Sequence, residues 1–273
     1  MRILLTNDDG WSAEGLRALH AALSRRHEVI IAAPEHQQSG ASHKLTIDRP
    51  LRARRLPERR GWRIDGTPAD CVKLALSTLI REPVDWVISG INQGSNAGIL
   101  AHYSGTVAAA KEGAISGCRS MAVSLCGYRD LDYRPAAEQA AALLGRPEIQ
   151  QLGPRTLVNV NVPPVPAERL RGLRIAAMNS RALEDAYDER IDPRGEAYYW
   201  LSGTTRVPCG PEPDDLTAIE AGYVAVTPFR LDWACPDQLE ALRSLEHDAA
   251  PATVPSQTPG EARETTEEPC PET

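Results

Sequence analysis

No pair among the six cysteines of this 273-residue chain has C-x-x-C spacing, and no His/Cys cluster is spaced like a zinc site. Cys71, Cys118, Cys126, Cys209, Cys235 and Cys270 are scattered through a chain large enough to have a core of its own. Reduced thiols are therefore expected rather than a disulfide frame. No stretch approaches the length of a membrane span. The N-terminal apolar run is too short for the core of a signal peptide, so a cytoplasmic protein with no membrane partner is expected. Excess positive charge is also missing. A net charge of −7 argues against general electrostatic binding of nucleic acid, and no stable nucleic-acid partner is expected. Finally, no G-x-G-x-x-G follows the first apolar run, which counts against a dinucleotide-binding version of an α/β fold.

What is present is organised around the first ten residues, MRILLTNDDG. Ile3, Leu4 and Leu5 form a short apolar run that stops at Asn7, Asp8, Asp9 and Gly10. This reads as a buried strand that delivers two adjacent carboxylates to its C-terminal end, with Gly10 permitting a tight turn. Leu16, Leu19 and Leu23 then recur at helical spacing. In open α/β sheets, ligands bind beyond the carboxyl ends of the strands. Two acidic side chains there repel each other unless something positive sits between them. A divalent cation meets that need; a solvated turn with an N-cap is the alternative.

Residues 28–33 read as a second buried strand, ended by Pro34, and 35–43 as a polar loop. A strand, helix and strand in this order imply a parallel pair with a right-handed crossover. The loop then opens on the same sheet edge as Asp8 and Asp9. It is either an ordinary surface loop or the source of a hydroxyl, Ser39, and an amide, Gly40, beside a metal. Residues 45–65 look like an excursion with short strands at 46–48 and 62–65. Its arginines Arg49, Arg52, Arg54, Arg55, Arg59 and Arg60 form a solvated face or attract a polyanionic substrate. Thr67, Pro68 and Asp70 make a helix start of N-cap, N1 and first-turn acid. A third strand, 84–89, ends in 90–98, which holds three glycines and two asparagines. Asn92 there offers a neutral carbonyl oxygen, a good ligand for a hard cation. Ser104 or Thr106 starts an alanine-rich helix, either as a simple N-cap or as a phosphate cradle of free amides and hydroxyls.

Residues 121–125 and 157–161 are further strands, with a helix over 136–144 between them. The alternation predicts an α/β fold: a Rossmann-like, mostly parallel sheet with helices on both faces. From about 173 the pattern changes. A protruding antiparallel hairpin is expected within 178–215, a strand at 223–227 and a C-terminal helix at 235–247. One domain over 1–248 is expected, followed by a disordered acidic Pro/Thr/Glu tail over 249–273.

The blocks ILLTNDDG, IAAPEHQQSGASHKLT, GTPADCVKLAL, VISGINQGSNAG, YSGTVAAAKEG, LVNVNVP and GYVAVTPF occur in this order to about residue 235. Together they resemble the SurE family (survival protein E) of metal-dependent 5′/3′-nucleotidases. The resemblance implies one divalent metal per subunit, Mg2+ or Mn2+, held by Asp8, Asp9, Ser39 and Asn92. It implies hydrolysis of nucleoside monophosphates and of short polyphosphate. It also implies a homodimer or tetramer, with the C-terminal part exchanged between subunits and the hairpin in tetramer contacts. The sequence departs from the family pattern at Glu35 and Gln38, where Asp and Arg are usual, and at Trp11, where Tyr is usual.

On this reading Asp8 and Asp9 are catalytic as well as metal-binding, with Asp8 favoured as the base. Asn96, Ser104, Gly105 and Thr106 hold the remaining phosphate oxygens. A covalent route through Asp8 is the mechanistic rival. A non-catalytic nucleotide-binding module and a structural protein using the excursion and tail are the readings from other classes.

Overall fold

A computed structural model describes residues 1–57, 59–181, 184–204 and 213–247. The tail expected to be disordered lies outside the described residues. The chain divides into two compact units, Met1–Leu231 and Asp232–Thr273.

The first half of the larger unit runs β1 (Arg2–Thr6), α1 (Glu14–Leu23), β2 (Glu28–Pro34), β3 (Ala53–Arg55), β4 (Gly61–Ile64), α2 (Pro68–Leu74), β5 (Trp86–Gln93) and α3 (Gly105–Ile115). It continues with β6 (Arg119–Leu125), α4 (Arg134–Leu144), the single turn α5 (Pro147–Gln150), β7 (Leu157–Val162), β8 (Leu173–Ile175), β9 (Glu184–Ile191), β10 (Ala197–Thr204), α6 (Asp215–Glu220) and β11 (Val224–Phe229). Nine of these strands form one sheet, ordered β3-β4-β2-β1-β5-β6-β7-β11-β8. The central run from β4 to β7 is parallel throughout. β3 and β11 each pair antiparallel with a neighbour, β4 and β7 respectively. β9 and β10 form a separate antiparallel hairpin, within the expected excursion.

The apolar runs explain the layers. Strands covered on both faces need apolar residues at successive positions, not alternate ones. On one face Ile3, Leu5, Ile31, Trp86 and Ile88 pack with Leu16 and Leu19 of α1 and Leu143 of α4. On the other, Leu4, Ile30, Ala32 and Val87 pack with Val72 of α2 and Ala109 of α3. The start of α2 closes as a capping box: Thr67 accepts from the Asp70 amide while Asp70 accepts from the Thr67 amide. That satisfies two donors a helix start leaves open.

One expectation fails locally. Residues 46–48 are not a strand; the Thr46 amide and hydroxyl instead donate to Asp70, at 2.9 and 2.6 Å. The partner of β4 is the basic segment β3. The arginines of this arm are largely engaged: Arg49 with Asp65, Arg54 with Glu35, Arg60 with Glu28, and Arg55 over the Trp62 ring. That favours the solvated-face reading over a free cationic arm.

In the smaller unit, α7 (Pro236–Leu242) continues into a 3-10 turn over Arg243–His247. Leu239, Leu242 and Leu245 are exposed on it. Among the described residues no helix is long and apolar enough to cross a membrane.

Candidate metal and phosphate site

The chain leaves β1 toward β2 on one side, then returns across β1 to build β5 on the other. The strand order therefore reverses between β1 and β5, and ligands of open α/β sheets bind at such a reversal. Asp8 and Asp9 follow β1, and Asn92 is the penultimate residue of β5. The loop after β2 carries Ser39 to the same edge, where the Gln38 amide donates to the Asp8 carbonyl at 2.8 Å.

Side chains bring these segments closer still. Gln37 Nε2 lies 3.0 Å from Ser39 Oγ and 3.4 Å from Asp9 Oδ1, so one amide spans both oxygens. The backbone amide of Gln93, the residue after Asn92, lies 3.4 Å from Asp9 Oδ2. Asn92 turns its Nδ2 to the carbonyls of Gln93 and Gly94. Among the described residues nothing donates to its Oδ1.

Two flanking helices reach the site through glycines. A Cβ on Gly105 would lie 2.9 Å from Asp8 Cβ and 3.1 Å from its Oδ2. A Cβ on Gly15 of α1 would lie 2.1 Å from the carbonyl oxygen of Ile91, next to Asn92. Only glycine lets either helix come so near.

The four residues expected to hold phosphate are placed differently from one another. Gly105 and Thr106 abut Asp8, and the Thr106 hydroxyl donates to Asp8 Oδ1. Ser104 is the N-cap of α3, accepting from the Val107 amide at 3.1 Å. Asn96 is buried among polar core residues. Its Nδ2 donates to Ser124 Oγ, its amide to Asn161 Oδ1, and its carbonyl accepts from Asn159.

Electrostatics single out the aspartates. Burial raises the Asp8 carboxyl to about 6; the Thr106 hydrogen bond opposes this and the Asp9 charge adds to it. Burial also raises Asp9, against hydrogen bonds from Gln93 and Gln37. Among the described residues no basic side chain forms an ion pair with either. Buried Asp8 and half-buried Asp9, without a basic partner and beside a hydroxyl and an unused amide carbonyl, form a donor set that fits a hard divalent ion. No three His, Cys, Asp or Glu side chains gather into a metal cluster among the described residues. This donor set includes only two such side chains, its other two donors being a hydroxyl and a side-chain amide oxygen.

A family model described as survival protein SurE matches residues 3–185. The chain belongs to the SurE family. A relative named 5'-nucleotidase SurE, from Heliobacterium modesticaldum, is 44% identical over 236 residues, covering 85% of this chain and 87% of that protein. A protein of the same name from a Synechococcus species is 42% identical over 254 residues, covering 89% of this chain and 96% of its own. The crystal structure of a SurE protein from Aquifex aeolicus matches with a TM-score of 0.80 at 34% identity, covering 90% of this chain and 100% of that one. The mixed, mostly parallel sheet with helices on both faces, the hairpin and the C-terminal helix agree with the SurE fold expected from the sequence.

Sequence reasoning missed Gln37 and Gln93, whose amides contact Asp9, and Tyr133. Burial raises the Tyr133 phenol, and the charges of Asp9 and Glu14 raise it further. Gln37 had only a weak signal, its place two residues before Ser39 in the same polar loop. Tyr133 had none, because its approach to Asp9 is purely tertiary.

Proposed function

We propose that this protein is a metal-dependent phosphomonoesterase that hydrolyses nucleoside 5′- and 3′-monophosphates to nucleoside and phosphate, and also takes short polyphosphate. Family membership and the naming of its relatives as 5'-nucleotidases support the activity. The observation that carries the chemistry is the adjacent Asp8/Asp9 pair at the strand reversal, with Asp8 buried and neither carboxylate paired with a basic side chain among the described residues. Asp8, Asp9, Ser39 and Asn92 are the residues that would hold the ion. When bound, a divalent cation supplies charge stabilisation for phosphoryl oxygens and acidity for an attacking water.

The chain's own groups do the rest. Two carboxylates with two neutral oxygens balance a doubly charged ion and leave no surplus negative charge to repel a phosphate. Water attacks phosphorus, the phosphorus–oxygen ester bond breaks, and the nucleoside oxygen leaves with the proton that Asp8 has taken from the water. Asp8, beside the site where the cation would sit, takes the water's proton. Thr106 fixes the orientation of Asp8 through its hydroxyl. The first turn of α3, at Gly105 and Thr106, adds positive dipole where phosphate charge accumulates. Asn96 and Ser104 act beneath this surface, one bracing the loop before α3 and the other capping the helix. Phosphoryl transfer needs mainly such positioning and charge stabilisation.

A covalent path would place the phosphoryl group on Asp8 and would show as solvent oxygen label in that carboxylate after one turnover. The exposed leucines of α7 fit exchange with a second copy in a homodimer or tetramer. A panel of nucleoside monophosphates, assayed for phosphate release in Mn2+ or Mg2+ with and without chelator, tests the proposal. Chelator-sensitive release that disappears in both Asp8→Asn and Asp9→Asn is expected. Nucleotide binding without release would instead mark a non-catalytic nucleotide-binding module.

A further inference from the structure

Away from the aspartates, α3 carries a second buried carboxylate. Glu112 is 2% exposed. Its Oε2 lies 2.9 Å from His43 Nε2 and its Oε1 2.9 Å from Lys73 Nζ. Burial by itself would raise this carboxyl, but the hydrogen bonds from His43 and Lys73 outweigh it and hold the group below its ordinary value. An ionised carboxylate only accepts, so His43 Nε2 carries the proton in this bond. The bond survives whether the ring is neutral or charged.

His43 lies on the loop that carries Ser39. The two ends of the Ser39 segment are tied down by backbone: the Gln38 amide to the Asp8 carbonyl, and the Ser42 amide to the Tyr103 carbonyl at 3.1 Å. Between them Ser39 and Gly40 are exposed, and a Cβ on Gly40 would meet nothing within 4 Å. Apart from the exposed Gln37 amide that it shares with Asp9, Ser39 takes its position from its flanks, where the Ser42 hydroxyl also donates to the His102 carbonyl. On the downstream flank, His43 reaches an ionised partner on α3. The same helix presents Thr106 to Asp8. One rigid element thus sets both the aspartate side and the serine side of the site.

We propose that His43 is a positioning residue: its bond to Glu112 holds the Ser39 loop at the separation from Asp8 and Asp9 that coordination of a cation requires. His43 itself touches neither cation nor substrate. The inference rests on the cation site proposed above.

The test is binding of Mn2+ to the full chain, without nucleotide, by calorimetry or by the electron paramagnetic resonance of free ion. His43→Ala is expected to bind about tenfold more weakly than wild type, the scale on which outer partners of metal ligands act. His43→Gln, whose side-chain amide still donates to Glu112, recovers most of the affinity. Lys73→Met leaves the His43 bond in place and stays within about twofold, since a half-exposed lysine pair contributes little. In turnover, saturating Mn2+ restores the His43→Ala rate, because the defect lies in holding the ion. Should His43→Ala not fold, His43→Asn, too short to reach Glu112, carries the same expected loss. Wild-type affinity in the alanine or asparagine variant overturns the proposal, as does a glutamine variant no better than alanine. Absence of Mn2+ binding by wild type would remove the cation site itself, which separates the two failures.

Discussion

Helix α3 meets two buried carboxylates that behave in opposite ways. At its start Asp8, 6% exposed, has its carboxyl raised to about 6. On its body Glu112, 2% exposed, is held below its ordinary value. Burial works against ionisation at both. The difference is in the partners: His43 and Lys73 for Glu112, a hydroxyl and a second carboxylate for Asp8. A carboxylate supplied by its own chain with a lysine and a ring N–H donor is part of the framework. One that is buried beside a like charge and given neither is suited to a cation from solution.

The sharpest way to break this contrast is Asp8→Asn. Phosphate release is expected to fall by at least about a thousandfold, the range for loss of a group that both anchors a catalytic metal and takes a proton. With chelator present, the same change is expected to stabilise the fold at neutral pH. The folded-state value of about 6 exceeds the ordinary 3.8, so the native state gives up its proton later than the unfolded chain. Stability from this group therefore falls as pH rises from about 4 to about 6, by up to about 3 kcal/mol, and stays low above. Urea denaturation in chelator should show the variant ahead at pH 7.5 and level with wild type near pH 4. A variant no more stable at pH 7.5 would mean Asp8 bears no strain from its charge.

Glu112→Ala tests the other half. Removing the buried carboxylate that accepts from His43 and Lys73 is expected to cost about 2 kcal/mol in the same denaturation experiment, the scale of lost hydrogen bonds to a charged group. The sign with pH is reversed. A lowered folded-state value gives stability that is present above the ordinary 4.5 and lost as pH falls through the folded value. The cost of Glu112→Ala should therefore shrink in acid. If both variants respond to pH in the same direction, the contrast is wrong.

Gly105→Ala is the next step down. Its new methyl would sit 2.9 Å from Asp8 Cβ, so the helix start or Asp8 must move. A loss of about tenfold in kcat is expected, with a stability cost of about 1–2 kcal/mol, typical of forced overpacking. The smallest effect is Ser104→Ala, which removes the α3 cap and should lower stability by about 1 kcal/mol. A far larger drop in kcat than in stability at Ser104 would show that its hydroxyl serves phosphate as well as the helix.

Much of this architecture was legible because local chemistry forces it. A strand covered on both faces must be apolar without alternation, which Ile3–Leu4–Leu5 and residues 28–33 announce. The starts of α2 and α3 were readable from Thr67, Pro68, Asp70 and Ser104, since open helix amides need particular caps. Other features depend on partners distant in sequence. β3 is short and rich in arginine, and only its pairing with β4 makes it a strand. Asn159 and Asn161 are fully buried, although asparagine in a strand gives no sign of facing inward; their amides brace Asn96. The bond from Thr106 to Asp8 spans 98 positions of sequence. No spacing rule reaches that far, so the sequence does not announce that the Thr106 hydroxyl also bonds Asp8.

Gly15 and Gly105 carry a consequence for how this protein tolerates change. Each flanking helix is seated by main chain pressed against its neighbour, one on Ile91 and one on Asp8. Side chains elsewhere can drift and repack, as cores do when volume is kept, without altering the gap between the ends of β1 and β5. The spacing of the oxygens is thereby insulated from ordinary mutation and exposed at these two glycines, where the gain of a single carbon would be felt at once.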